Sequence, residues 1–455
     1  MRAIFVTRLS NRQTQLINQL IEALNVTDIG LYLTVDRSRL RRERDAGRNL
    51  DRLLVRPSRI VTYTNPPPLP RPRADMSVLR RFEDSAHGPW IWRLLHADGQ
   101  LLGGGVSQRE LTYEPRTRDT RRLLALADGL LVGIEDLFRA IQPDFVYGPE
   151  TDKLGALLLK AYAMSQGIPS FRFSTTRLGN YLGVNADVGD TLWRVPEVYE
   201  AYSDGREAAE ERRDAARRLV EPAGNLTART YAFGAPRARS LVRRGLAGLQ
   251  PYRVTRAFRK VITQGAFSRA YIRELSQAYL YFPLHEEPEA GLKLYSYWEQ
   301  DQVECIAKIS RAVDMRYMVY VKEHPVMHLR KLSHYREMLR YPNVRLMSPR
   351  IHGKEAIRRS CGVLTISGTA GLEAIVMGKP VVIFGGASWD ILKSVLVVRD
   401  YSTAPARMRE YLEAFDPASA RADLEHYALA ILDVCRPADD VVGLGEMARE
   451  FLKSC

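Results

Sequence analysis

Gly362-Val363-Leu364-Thr365-Ile366, then Ser367-Gly368-Thr369-Ala370-Gly371, then Leu372-Glu373-Ala374: an apolar run breaks on small residues and passes directly into a helix-forming stretch. A second apolar run, Pro380-Val381-Val382-Ile383-Phe384-Gly385, follows after one helix length. The pattern predicts a strand, a helix and a second strand of a parallel sheet. A strand that feeds straight into a helix leaves backbone N–H groups unpaired at the helix start. With the helix dipole these form an anion site, usually for phosphate. Gly368 and Gly371 remove side chains that would keep a ligand from the backbone. Glu373 is expected in the first helical turn, where its carboxylate would accept hydrogen bonds from ribose hydroxyls.

The turn is neither a Walker loop nor GxGxxG, and glycine-rich strand-to-helix turns also serve tight packing alone, so both readings stand. Val321-Lys322-Glu323-His324-Pro325 favours the ligand. Lys322 and His324 follow the apolar run Tyr317-Met318-Val319-Tyr320-Val321 and so sit at a strand's carboxyl end. In doubly wound sheets that edge is where ligands bind.

A chain of 455 residues is too long for one ordinary core and predicts two domains. Its 45% hydrophobic and 26% charged residues are those of a soluble globular protein. The longest apolar stretch, Leu123 to Phe138, is interrupted by Asp128, Glu135 and Asp136 and does not read as a membrane span. Met1 to Thr7 reads as a first strand rather than a signal sequence, so a cytoplasmic location is expected. Cys305, Cys361, Cys435 and Cys455 lack metal-ligand spacing and read as ordinary thiols.

The net charge of +14 is concentrated: no acidic residue stands between Glu221 and Glu274, while arginines recur from Arg229 to Arg273. Such a block favours an anionic partner, whether a membrane surface, a phosphorylated acceptor or nucleic acid. Leu241, Leu246, Leu249, Tyr252 and Phe258 are interleaved as in an interfacial helix. A basic solvated face over an ordinary core is the plainer reading of the same residues.

Along the chain, residues 1 to about 35 read β-α-β, with a strand at Met1–Thr7, a helix at Asn11–Leu24 and a strand at Gly30–Val35. Arg37 to Arg56 reads as a solvated helix, and the prolines of 65–72 as a loop. A helix is predicted from about Thr117 to Ile141, then a strand in 143–148, a helix from Leu154 to Gln166 and a strand ending at Phe173. Glu200 to Arg273 reads as a helical, arginine-rich connector. Leu280-Tyr281-Phe282-Pro283-Leu284-His285 opens a second α/β unit, with helices at 301–313 and 330–339 and a strand at 344–346. Helices at 411–415, 424–434 and 444–452 end the chain. The predicted division is 1–200, 201–278, 279–440 and a last helix, 441–455, that crosses back onto the first domain.

Glu150 and Asp152 fall at the strand-to-helix turn after 143–148. Three readings remain for them: a general base beside a substrate hydroxyl, an N-cap by Asp152, or a divalent metal pair.

Two α/β halves, the second with a phosphate turn, suggest a glycosyltransferase of the GT-B type. Three motifs make the resemblance closer: Tyr281-Phe282-Pro283-Leu284-His285 with the acidic loop to Glu289, Val321-Lys322-Glu323-His324-Pro325, and Ser367 to Ala374 with Gly378-Lys379-Pro380. Over roughly residues 279 to 395 they resemble the capsule polysaccharide biosynthesis family, which includes bacterial Kdo transferases. The resemblance implies an α/β fold of two Rossmann-like domains facing each other, with the basic helical insert between them. It implies a nucleotide-sugar donor, CMP-Kdo-like, and a polysaccharide or lipid-linked acceptor, with no cofactor and no metal. By the same resemblance His324 and Pro325 contact the leaving phosphate and Lys322 assists. Ser367, Gly368, Thr369 and Gly371 hold the phosphate, Glu373 the ribose, and His285 borders the donor pocket. Glu150 or Asp152 supplies the base from the first domain. The arginine-rich 222–273 would hold the enzyme at the inner face of the plasma membrane.

Other classes remain open: a non-hydrolysing sugar-nucleotide epimerase, a teichoic-acid-type glycerophosphotransferase, and a non-catalytic binder of anionic lipid or nucleic acid. RNA-binding signatures with interleaved rings are missing, which disfavours nucleic acid.

Overall fold

The computed structural model describes residues 1–36, 49–65, 74–85, 90–98, 101, 119–148, 153–186, 189–221, 270–275, 277–287, 291–324 and 332–455. The N-terminal half comprises β1 (Arg2–Thr7), α1 (Asn11–Leu24), β2 (Asp28–Asp36), β3 (Arg59–Asn65), α2 (Met76–Glu83), α3 (Ile91–Ala97), α4 (Thr120–Ile141), β4 (Phe145–Tyr147), α5 (Leu154–Ser165), β5 (Ser170–Thr175) and β6 (Tyr181–Asn185). Helices α6 (Val195–Ser203) and α7 (Glu210–Leu219) follow. The C-terminal half holds β7 (Tyr271–Ile272), β8 (Tyr279–Pro283), α8 (Gln302–Ala312), β9 (Met318–Lys322), α9 (Leu332–Leu339), β10 (Val344–Met347), α10 (Gly353–Arg359), β11 (Gly362–Thr365), α11 (Thr369–Val376), β12 (Val381–Ile383) and β13 (Val395–Val397). The chain ends with α12 (Ala404–Ala414), α13 (Pro417–Val434), β14 (Arg436–Pro437) and α14 (Val441–Ser454).

Two sheets result, ordered β14-β6-β5-β4-β1-β2-β3 and β13-β12-β11-β8-β9-β10-β7. The second is parallel throughout; in the first, only the β5–β6 and β6–β14 pairs are antiparallel. Each half is a Rossmann-like α/β unit. The continuous apolar runs of the sequence arise because both faces of each sheet are covered. In β1, Ala3 and Phe5 join the cluster under α1 and α14, while Ile4 and Val6 join the one under α4 and α5. In β8, Leu280 and Phe282 pack on one face, and Tyr279 and Tyr281 on the other.

Local signals explain where helices begin. Ser10 and Gln13 form a capping box at α1, Asp119 caps α4, and Asp301 caps α8 by accepting from Val303 N at 2.9 Å and Glu304 N at 3.2 Å. Five strands have no counterpart among the sequence expectations: β3, β6, β7, β13 and β14. β3 is rich in β-branched residues, a strand signal overlooked beside the proline loop. β6 is partnered by β14, which arrives from the far end of the chain. The expected solvated helix at 37–56 lies mostly outside the described residues. At its end Asn49 is buried, donating from Nδ2 to Leu9 O at 2.7 Å.

The halves are tied together by exchanged elements. α14 lies on α1, where Gly445 meets Ala23, and α6 and α7 pack on α13. There the Tyr199 hydroxyl donates to Asp423 Oδ1 at 2.5 Å and accepts from Lys393 N at 2.8 Å. Among the described residues no helix is long and apolar enough to cross a membrane. The arginine-rich stretch, beyond its last few residues, lies outside the described part.

Candidate functional site

In the C-terminal sheet, β9 and β10 succeed β8 on one side, and β11, β12 and β13 depart on the other. The order therefore reverses between β8 and β11, and a crevice opens at their carboxyl ends. Two of the predicted motifs meet there. His285, just beyond β8, is 5% exposed, and its backbone is gripped by Gln302: His285 N donates to Gln302 Oε1 at 2.7 Å, and Gln302 Nε2 donates back to His285 O at 3.4 Å. Ser367 N, just beyond β11, donates to His285 Nε2 at 3.3 Å. That bond requires Nε2 to be unprotonated, so the imidazole acts as an acceptor that shapes the turn.

The cleft encloses about 170 Å³. From the C-terminal half it is lined by Pro283, Leu284, His285, Gly291, Tyr295, His324, Ser367, Gly368, Thr369, Ala370 and Trp389; from the N-terminal half by Arg177 and Asp190. The turn into α11 presents donors. Gly368 caps the helix without a side-chain hydrogen bond, and among the described residues no acceptor is in place for the N–H of Thr369 or Ala370. Ser367 Oγ is buried with no hydrogen-bond partner among the described residues. A buried orphan hydroxyl beside open helix N–H groups is what an anionic ligand would satisfy. Ser367 N and Gly368 N, by contrast, are already engaged, the latter with Thr365 Oγ1 at 2.9 Å.

The glycines also meet a packing demand. A Cβ on Gly371 would stand 2.3 Å from Trp389 Cη2, and one on Gly368 would stand 2.9 Å from Thr365 Oγ1. Their smallness serves the packing of the walls, and Gly368 also lines the cleft. Glu373 also moves in register. Because α11 begins at Thr369 rather than Leu372, Glu373 lies in the second turn, half-buried and outside the cleft lining. Burial raises its carboxyl pKa, against a downward pull from Lys354.

His324 lines the cleft after β9, and its N–H donates to Glu323 Oε1 at 3.0 Å. Tyr335 fixes the same carboxylate by donating to Oε2 at 2.6 Å. Lys322 is 4% exposed and not part of the lining; burial lowers its pKa, and Glu323 raises it. Glu150, Asp152 and Pro325 lie outside the described residues.

Arg177, Asp190, Tyr295 and Trp389 did not emerge from the sequence. Asp190 rides on a turn held from two sides. Arg172 Nη2 donates to Gly189 O at 2.8 Å and to the Tyr295 hydroxyl at 3.2 Å, while Asn185 Nδ2 donates to Gly189 O at 3.1 Å and Thr191 O at 2.8 Å. Arg172 and Asn185 are themselves buried. The Gly189-Asp190 pair after β6 was the available signal. Among the described residues no three His, Cys, Asp or Glu side chains come together as a metal site.

No curated protein sequence matches the chain. Among solved structures, a beta Kdo 2,7 transferase, KpsC of Thermosulfurimonas dismutans, is 11% identical, with 59% of this chain and 73% of that one covered and a TM-score of 0.35. The beta Kdo 2,4 transferase of the same organism's KpsC is 12% identical, with 68% and 87% covered and a TM-score of 0.35. A UDP-GlcNAc 2-epimerase from Methanocaldococcus jannaschii is 11% identical, with 91% of both chains covered and a TM-score of 0.25. At these scores the fold rests on the strand order itself. Residues 303–393 match the family described as capsule polysaccharide biosynthesis protein. The matched segment includes His324, the Ser367–Ala370 turn and Trp389. The segment 303–393, which is similar to that family, builds one wall of the cleft.

Proposed function

We propose that this protein is a glycosyltransferase that moves a sugar from a nucleotide donor, CMP-Kdo-like, to a polysaccharide or lipid-linked acceptor. The observation that carries the reading is the turn into α11 at the switch point, with its orphaned Ser367 hydroxyl and open Thr369 and Ala370 N–H groups, faced across the cleft by Arg177 and Asp190. The donor phosphate sits at the α11 start, and Ser367 Oγ donates to it. The acceptor hydroxyl attacks the anomeric carbon, the bond from that carbon to the phosphate oxygen breaks, and the nucleotide leaves with its charge met by helix N–H groups, His324 and Arg177.

A carboxylate of the N-terminal half takes the acceptor proton: Glu150 or Asp152 on the sequence reading, with Asp190 the described carboxylate at the cleft. Lys322 and Gly371 support the pocket from behind, and Glu373 is assigned to the nucleoside side. In this reading His324, Arg177 and the helix end take the role a metal would have in stabilising the leaving charge, and it uses no metal and no cofactor. The arginine-rich 222–273 is assigned to an anionic membrane surface or lipid-linked acceptor, which would place the protein at the cytoplasmic face of the membrane.

The test is thermal stabilisation by CMP, CDP, UDP and GDP, with and without Mg²⁺, for the parent chain and His324→Ala. At 100 times Kd a ligand bound only by the folded state adds about 2.7 kcal/mol. Metal-independent stabilisation by CMP, lost in His324→Ala with the fold intact, supports the reading. A UDP response with a changed nucleotide sugar and no acceptor product would make the protein an epimerase. Silence towards every nucleotide refutes donor binding.

A further inference from the structure

Three of the five tryptophans are exposed: Trp90 at 73%, Trp92 at 40% and Trp298 at 86%. Tryptophan is highly buried on average, and a cluster of exposed rings marks a contact surface rather than a packing need. α3 buries Ile91, Leu94 and Leu95, which leaves Trp90, Trp92 and Arg93 on its outer side. The Arg93 guanidinium lies 5.4 Å over the Tyr297 ring, and Tyr297 meets Trp298 edge-on at 4.9 Å. The patch therefore bridges α3 of the N-terminal half and the segment 291–299. That segment is the same one whose Gly291 and Tyr295 line the cleft, while Leu292 and Leu294 anchor it inward. Inner and outer sides of one short, anchored segment thus face the cleft and the aromatic surface.

Resting on the transferase reading, we propose that Trp90, Trp92, Arg93 and Trp298 form a platform for the acceptor glycan, leading its reacting end to the cleft. A pyranose ring presents a face of C–H groups that stacks on an indole, and hydroxyl or carboxylate groups at its edge that accept from a guanidinium. The alternative occupant, an anionic membrane, fits less well. Among the described residues Arg93 is the exposed cation of the patch, whereas Lys293 nearby is half-buried and bonded to Gln300 Oε1 at 3.2 Å. The rings also sit on two elements rather than along one continuous apolar helix face.

The platform is tested with the full chain by tryptophan fluorescence and calorimetric titration. The probes are a sialic acid hexamer, maltohexaose, and vesicles of phosphatidylcholine with phosphatidylglycerol. Stacking tolerates many sugars, so at least one oligosaccharide should bind, with Kd raised about fivefold in Trp298→Ala and further in Trp90→Ala/Trp92→Ala. CMP stabilisation should be unchanged in both variants. Overturning results are no oligosaccharide binding, binding indifferent to the substitutions, or a response to vesicles alone. CMP binding without glycan binding fails the platform only; glycan binding without any nucleotide response fails the transferase reading and leaves a glycan-binding surface.

Discussion

Gly371→Ala isolates why a glycine stands in the first turn of α11. The added Cβ would lie 2.3 Å from Trp389 Cη2, 2.8 Å from Cζ2 and 3.1 Å from Thr365 Cγ2. Trp389 is 1% exposed and packed against the turn, so either ring or helix must shift. Overpacking of this kind costs about 1–3 kcal/mol. Alanine in place of glycine within a helix returns up to about 1 kcal/mol. The net expectation is a loss of roughly 0.5–2 kcal/mol, with weaker CMP stabilisation because Trp389 also lines the cleft. Trp389→Phe removes the two clashing atoms. In that background Gly371→Ala should be neutral or stabilising, giving a coupling of about 1–3 kcal/mol between the positions. Urea unfolding followed by far-ultraviolet circular dichroism reads all four chains, midpoint shifts at constant slope being the measure. If Gly371→Ala costs as much in the Trp389→Phe background as in the parent chain, the indole is not why the glycine is needed, and close approach of a ligand to the backbone returns as the explanation.

Two more outcomes follow from packing and charge. Burial raises the Glu373 carboxyl above its ordinary value of 4.5. Its contribution is therefore fully present below the unfolded-state pKa and is lost as pH rises through the folded one. Glu373→Gln should flatten that part of the Tm profile, and a profile parallel to the parent's would deny the raised value. At Gly445 a Cβ would meet Ala23 Cβ at 2.5 Å. Gly445→Leu should thus push α14 from α1 and lower stability by about 1–3 kcal/mol, and an unmoved urea midpoint would separate the two helices.

Much of the fold was legible because its signals are local. The apolar runs of β1, β8, β9 and β11 read as buried strands since both sheet faces are covered, and α1 was predicted with its observed bounds, Asn11–Leu24. The ends of β8, β9 and β11 could be placed at one sheet edge, where the cleft opens, because a strand's carboxyl edge is defined by the strand itself. The site's residue types could be read the same way: His285, His324 and the Ser367–Ala370 turn all reached the cleft.

What needed the tertiary structure was everything that depends on distant partners. β6 gains its second neighbour from β14, and Asp190 is aimed by Arg172, Asn185 and Tyr295, none of them in its own turn. The task of Gly371 could not be read from its neighbours, because the ring that excludes a side chain there belongs to Trp389. Glu373 was misplaced by a single helical turn, since the start of α11 is set by where Gly368 leaves the strand and bonds back to Thr365. The sequence alone determined the apolar strands and the residue types at their ends, all encoded within a few residues. Which of those residues face one another was decided only by the reversal of strand order between β8 and β11 and by the seating of the other half across it, because juxtaposition is a property of the packed chain and not of any window of it.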